Sequence, residues 1–444
     1  MMRRVLMVSP HFPPDSSAAS HRVRLLAPHL EEAGWSPTVL TLERSAYEGR
    51  LDPGLEALVP ASLRVVRAAA WSAGATRRIG LGDLGLRAFT GLRRACHALL
   101  SRERFDALFI TVYPVYPALL GASLKAAYRV PFVLDYQDPW VGAWGETVGG
   151  GAGGRPDLKS RLSRALAMRL EPMALRASDA ITAVSSATYE QLHDRYPWVR
   201  ERPCADIPLG GEPADFDVLR RQLRSNPWFD PKDGQVHLCY VGTLLPLGFE
   251  TLRAVLEAAA LLGSRRPDLY ARLRLHFFGT SNVTTPGAPW RVLPVARALG
   301  VADRVTEMPG RLDYLDALTV QTQASAILLM GSSERHYTAS KLYPALLSER
   351  PLLAVYHEAS SVVDVLRGTA ASPTARVVTY GDADRAGARV EAIYGELSAL
   401  VENPRYDPAT VNWESLREWS AGALAGKLAA LLDRVSVSTR AGEA

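Results

Sequence analysis

The sequence predicts an α/β protein built from two doubly wound domains in tandem. Three observations carry that expectation. Short apolar runs alternate with helical patterns up to about residue 212, and the same alternation restarts near residue 235. The chain has 444 residues, more than one typical domain holds. Between the two runs, Pro213, Asn226-Pro227, Pro231 and Gly234 punctuate the stretch from about Gly210 to Gly234, as in a linker.

The elements follow in order. Val5 to Val8 is short and apolar, which fits a strand buried on both faces. Basic residues precede it, as in a signal peptide, but four apolar residues fall short of a signal core of roughly 7 to 15. From Ser20 to Ala33, Val23, Leu26, Ala27 and Leu30 recur at helical spacing; Gly34 stops the helix and Thr38–Leu42 resumes a strand. This βαβ unit implies a parallel sheet. Ala107–Val112, Phe132–Asp135 and Asp179–Val184 read as further strands of the first domain, residues 1–212. The glycine-rich run Gly149–Gly154 reads as a surface loop or lid. In the second domain, 235–405, strands are expected at Val236–Val241, Leu273–Phe278, Ala326–Leu329 and Pro351–Tyr356. Helices are expected at about Glu250–Leu262 and after Ser340. A final helical segment, 406–435, is expected to cross back to the first domain.

Composition narrows the function classes. No apolar run reaches the ~18 to 20 residues of a membrane span. The formal charge of +5 suits phosphates or a lipid surface and is too mild to indicate nucleic acid. Cys96, Cys204 and Cys239 lie far apart, form no metal or redox spacing and fit a reducing cytoplasm. Arg77 to Arg94 mixes arginine with Leu and Phe; it suits either peripheral contact with an anionic membrane or an amphipathic helix over the first sheet.

Several segments share one order and spacing. Ser9-Pro10-His11-Phe12-Pro13-Pro14-Asp15-Ser16-Ser17, with His21-Arg22 after it, resembles the first loop of family 4 glycosyltransferases. Leu134-Asp135-Tyr136-Gln137-Asp138-Pro139-Trp140 resembles the D-x-x-D-P-W segment of one subgroup, and Glu171 through Ser185 its next helix and strand. Tyr240–Leu244, Thr338–Tyr343, Pro351–Ala354 and Asn412-Trp413 resemble segments of the second domain and the closing helix. The resemblance implies the GT-B fold, two Rossmann-like domains facing a central cleft. It also implies retaining transfer from a nucleoside diphosphate sugar without metal or other cofactor. The donor is expected on the second domain. A small-molecule or lipid-linked acceptor is expected on the first.

The residues then take expected roles. Gly242-Thr243 follows a buried strand and precedes a helix, where backbone N–H groups can meet a diphosphate. Lys341 is one of only five lysines against forty-six arginines, and a flexible ammonium can follow a leaving diphosphate. Ser340 is expected to cap the helix that begins there, with Leu342 in the same donor segment. Gly279, Gly310 and Arg311 are expected to line the base or sugar. Relatives carry two glutamates near the lysine; here His336 and Pro344 stand in those places, and Glu334 is the substitute carboxylate. On the acceptor side, Asp138 is the candidate to orient a hydroxyl or take its proton. His11, Ser16, Ser17, His21, Arg22 and Trp140 are expected around the acceptor. Loss of the ribose carboxylate keeps two rivals open: an unusual donor or pseudo-glycosyl coupling, and an inactive binding subunit supporting another transferase.

Overall fold

A computed structural model describes residues 2–78, 80–141, 158–222, 224–281, 287–332 and 340–441. The chain divides into two compact units, Met1–Gly210 with Ala421–Ala444, and Gly211–Ser420.

In the first unit, β1 (Arg3–Val8), β2 (Trp35–Leu42), β3 (Arg64–Ala68), β4 (Ala107–Thr111), β5 (Phe132–Tyr136), β6 (Ala180–Ala183) and β7 (Cys204–Asp206) form one parallel sheet. Its strand order is β3-β2-β1-β4-β5-β6-β7. The chain therefore winds outward in both directions from β1 and β4. Period-two alternation splits the core: Leu6 and Val8 pack on one face, Val5 and Met7 on the other. The expected helix from Ser20 is shorter in its regular part, Ser20–Leu26, and continues as a 3-10 turn, Ala27–His29. Pro28 removes the backbone donor that an α-helix needs there.

Arg77–Arg94 resolves into a short helix end and the helix Leu84–Leu100, which covers the first sheet with Ala88, Leu92 and Cys96 buried. Asp83 caps it by accepting from Leu86 N at 2.9 Å. The closing helix, Ala421–Ala441, packs Leu424, Leu428 and Leu432 against Val5 and Val23 in the same unit.

In the second unit, β8 (Val236–Val241), β9 (Leu273–Phe278), β10 (Val305–Met308), β11 (Ala326–Met330), β12 (Leu352–His357) and β13 (Ala375–Tyr380) form a parallel sheet ordered β10-β9-β8-β11-β12-β13. The switch lies between β8 and β11. The stretch expected as a linker is instead part of this unit. Pro213–Arg221 is a helix with proline at its first position, and Phe229 is buried among Cys239, Phe278 and Ile327. Asn412 starts a short helix, Trp413–Arg417, by accepting from Ser415 N, and the long helix begins only after Ser420. The run Gly149–Gly154 lies outside the described residues. Among the described residues no helix is long and apolar enough to cross a membrane.

Candidate functional site

Open parallel sheets bind ligands beyond the carboxyl ends of their strands, at the point where the winding reverses. Both units place predicted residues there, and each is built by its own logic.

In the second unit the reversal lies between β8 and β11, where Gly242 and Lys341 meet. Gly242 has a φ of 141°, outside the range of ordinary L-residues. A Cβ there would stand 3.0 Å from Lys341 Nζ, so the missing side chain is what admits the ammonium. Lys341 Nζ donates to Tyr240 Oη at 2.6 Å and lies 4.2 Å from the centre of that ring. Tyr240 in turn donates to the Thr243 carbonyl at 3.0 Å, tying the amine to the loop after β8. Among the described residues no carboxylate pairs with Lys341. Burial without a counter-charge pushes its pKa down to about 7. Such a group awaits an anion.

Gly279 closes the same corner: with φ at 69°, its Cβ position lies 3.9 Å from both Gly242 N and Arg311 Cα. Gly242, Thr243, Gly279, Arg311 and Lys341 are thus brought together, with Gly310 adjoining Arg311 in sequence. Three expectations are corrected. Leu342 points into the core, 1% exposed, because the helix Leu342–Leu347 turns its apolar face to β12. Ser340 is exposed in a turn and does not cap that helix, whose N-cap is Lys341 with no side-chain hydrogen bond. Thr243 does not directly precede a helix: Phe249–Arg265 begins after a 3-10 turn at Pro246–Gly248, with Glu250 in its first turn. Pro344 sits in the first turn of Leu342–Leu347, where no intrahelical partner for its N–H would exist. Glu334 and His336 lie outside the described residues.

In the first unit the reversal lies between β1 and β4. His11 follows β1, and its Nδ1 meets Asp15 Oδ2 at 2.5 Å. The same oxygen accepts from Ser17 Oγ at 2.6 Å and Ser20 Oγ at 3.0 Å. Desolvation pushes the Asp15 carboxyl up, but the His11 bond and charge and the two hydroxyls outweigh it and hold its pKa low. The Asp15 carboxylate fixes the imidazole's orientation through Nδ1, and that bond leaves Nε2 unused. The imidazole stacks on Tyr113, which follows β4, at 5.4 Å. Tyr113 is pushed above the usual phenol range by desolvation, then by the carboxylates of Asp138, Asp15 and Asp83. Asp138 reaches solvent, yet desolvation by the protein around it raises its pKa. His11, Ser17, Tyr113 and Asp138 therefore front one edge. Ser16 is spent on the Arg50 carbonyl at 2.8 Å, and His21 lies 3.3 Å from Arg24.

Two acceptor expectations fail here. Arg22 is fully buried and does not face a ligand. Its guanidinium grips Asp135, with Nε 2.9 Å from one carboxylate oxygen and Nη2 2.5 Å from the other, and also bonds the Ile207 and Pro208 carbonyls. The pair joins the helix after β1 to β5 and to the chain leaving β7. Trp140 is 3% exposed and belongs to the core, because the chain turns inward after Pro139. The next residue is anchored too: Arg195, paired with buried Glu171 at 3.0 Å, donates to the Val141 carbonyl at 2.8 Å.

Sequence reasoning missed Tyr240, Asp15 and Tyr113. Tyr240 had a signal: it stands two residues before Gly242, at the end of the strand that leads into that glycine. Asp15 stands four residues from His11 in the same loop. Nothing local marked Tyr113. Among the described residues no three His, Cys, Asp or Glu side chains converge as a metal site.

With this geometry established, comparisons place the chain. The glycosyl transferase 4-like domain matches residues 17–210. No curated protein sequence matches significantly. Among solved structures, HepE from Anabaena in complex with UDP aligns over 98% of this chain and 100% of its own, with a TM-score of 0.59 and 12% identity. A UDP-forming trehalose-phosphate synthase from Burkholderia xenovorans aligns over 98% and 99%, with 0.60 and 13%. A glycosyltransferase from Rickettsia africae aligns over 98% of each chain, with 0.58 and 13%. At these identities the likeness is one of fold, and that fold is GT-B.

Proposed function

We propose that this chain, a GT-B-fold protein carrying a glycosyl transferase 4-like domain, transfers a sugar from a nucleoside diphosphate to an acceptor hydroxyl. One observation carries the reading. A half-buried ammonium, with no counter-charge among the described residues, is held by Tyr240 against a glycine of positive φ, at the switch point of the second sheet. That is a cradle for a diphosphate. Lys341 neutralises the charge that develops on the leaving group, and the backbone of Gly242 and Thr243 approaches its oxygens. Gly279, Gly310 and Arg311 line the side where the nucleoside or sugar lies. UDP is the first nucleotide to test, since HepE was solved with it.

Acceptor binding falls to the first sheet, where His11, Ser17 and Asp138 face outward. The Asp15–His11 pair presents the imidazole's Nε2, and Asp138 a carboxylate of raised pKa; either can hold the hydroxyl that attacks. Retention and metal independence belong to this proposal on the strength of the family resemblance. Lys341 supplies the cation that a metal supplies elsewhere.

The test is a thermal-shift series with UDP, GDP, ADP, CDP and TDP. A ligand at a hundred times its Kd stabilises by about 2.7 kcal/mol. One nucleotide is expected to raise Tm by a few degrees, and Lys341→Met to remove the rise. No shift with any nucleotide overturns the reading.

A further inference from the structure

The helix Leu158–Ala177 connects β5 to β6, and its outer face carries the densest exposed apolar surface of any helix among the described residues. Leu162 is 70% exposed, Leu166 42% and Met173 57%. Among the described residues, four of the twelve exposed large apolar side chains stand on this one helix, the fourth being Met168. Spacings of four and seven residues put Leu162, Leu166 and Met173 in one stripe, with Arg169 completing it. Arg161 borders the stripe. Both arginines are exposed, and neither has an ion pair among the described residues.

The acids are arranged the opposite way. Glu171 is the only carboxylate of the helix; it lies half a turn from the stripe, fully buried and paired with Arg195. Asp179, just beyond the helix, is paired with Lys125 at 2.6 Å. Among the described residues the exposed face is therefore apolar and cationic, with no negative charge of its own.

We propose that this face docks on an anionic phospholipid surface. Leucine and methionine enter the acyl boundary while the arginines stay at headgroup level, where phosphates accept their hydrogen bonds. The absence of carboxylates is the feature that selects this occupant. A protein partner would tolerate mixed charge, and a neutral bilayer would not use the arginines. The contrast with Leu84–Leu100 is direct: that helix is also basic, but its Leu92 and Leu99 face inward, so it offers charge without an apolar stripe. Since β5 and β6 are parallel, the connecting helix starts at the carboxyl edge of the sheet, where His11 and Asp138 lie. Docking there brings a surface-borne hydroxyl to the acceptor edge. The docking itself does not depend on the transferase reading.

The test uses the full chain and vesicle flotation, comparing phosphatidylcholine with phosphatidylcholine containing about one-third phosphatidylglycerol. Binding is expected only to the anionic vesicles, and lost at about 0.5 M salt, where exposed charges are screened. Each arginine near such a surface contributes about a fivefold factor, so R161E/R169E is expected to weaken binding by at least tenfold. L162S/M173S is expected to weaken it as well. Both variants change exposed positions, and unchanged melting confirms that they fold. Three results overturn the proposal. They are no flotation of the wild type, equal flotation on neutral vesicles, and anionic binding undiminished in R161E/R169E. A dimer in solution that L162S/M173S converts to monomer, without lipid binding, assigns the face to a second copy and overturns it too.

Discussion

Lys341→Met removes the ammonium at nearly constant volume, and its effects are calculable in sign and size. A cation about 4 Å from a diphosphate charge contributes about 4 kcal/mol at the effective dielectric of a partly buried site. Part of that is offset at pH 7.5, because burial depresses the amine to about 7 and binding must first protonate most molecules, which costs about 1 kcal/mol. The net of about 3 kcal/mol predicts a Kd for UDP raised roughly a hundredfold.

The same reasoning fixes a pH profile. In the free protein Lys341 loses its proton near pH 7, while a bound diphosphate holds the proton on to higher pH. Binding therefore takes up a proton above pH 7 and none below it. Affinity is expected to be flat just below pH 7 and to weaken about tenfold per pH unit from 7 to 9. In Lys341→Met that slope should vanish. Stability moves the other way. The folded pKa lies below the unfolded one, so the lysine destabilises the apoprotein most below pH 7, and the penalty fades as pH rises towards 10.5. The methionine variant should melt higher than wild type at pH 6.5. Isothermal titration with UDP between pH 6.5 and 9 reads the affinities, and calorimetric melting reads the stability. A variant that binds UDP within threefold of wild type, or a wild-type affinity flat from pH 7 to 9, refutes the assignment of Lys341.

Other expectations rest on neighbouring features. Asp135→Asn leaves Arg22 buried with half its partner gone, and breaking such a pair costs about 3 to 5 kcal/mol; urea unfolding should show the loss. Gly242→Ala must place a Cβ 3.0 Å from Lys341 Nζ at a φ of 141°. Strain of about 1 to 3 kcal/mol is expected, together with weaker UDP binding in the same titration. Desolvation, then His237 and Arg274, lower the buried His276 to about 4. The unfolded chain thus takes up a proton that the folded one refuses between about pH 6.5 and 4. Stability should fall by about 3 kcal/mol across that window, and His276→Phe should remove most of the fall in acid melting curves.

The fold was legible because parallel strands buried on both faces write themselves as apolar runs. Val5–Val8 and Val236–Val241 need no partner information to be recognised. The glycine corner beside Lys341 was legible in part for a related reason. Gly242, Gly279 and Arg311 follow strand ends or the turn beyond one, and the sheet order alone brings strand ends together. What stayed hidden was the direction of individual side chains. Arg22 and Trp140 were expected as acceptor contacts because they stand in segments that resemble the family's. Their burial depends on partners 113 residues away for Arg22 and on an inward turn after Pro139 for Trp140. A charge of either kind reads the same in sequence, whether it is spent on a carboxylate or left waiting.

That distinction also decides between Arg22 and Lys341 as sites. Both are cations close to the chain's switch points, and both are largely withdrawn from water. Arg22 has its charge returned by Asp135 and two carbonyls, so its grip stiffens the sheet and nothing further can be asked of it. Among the described residues Lys341 has only a phenol, which can accept a hydrogen bond and cannot cancel the charge. Folding left that cost in place, and a cost left in place next to an open glycine corner is best understood as affinity held for an anion. The edge that carries His11 follows the same rule in reverse. Asp15 collects His11 and two hydroxyls, and its charge is spent on holding one imidazole in one orientation. What remains for chemistry there is the imidazole's other nitrogen and the less satisfied carboxylate of Asp138.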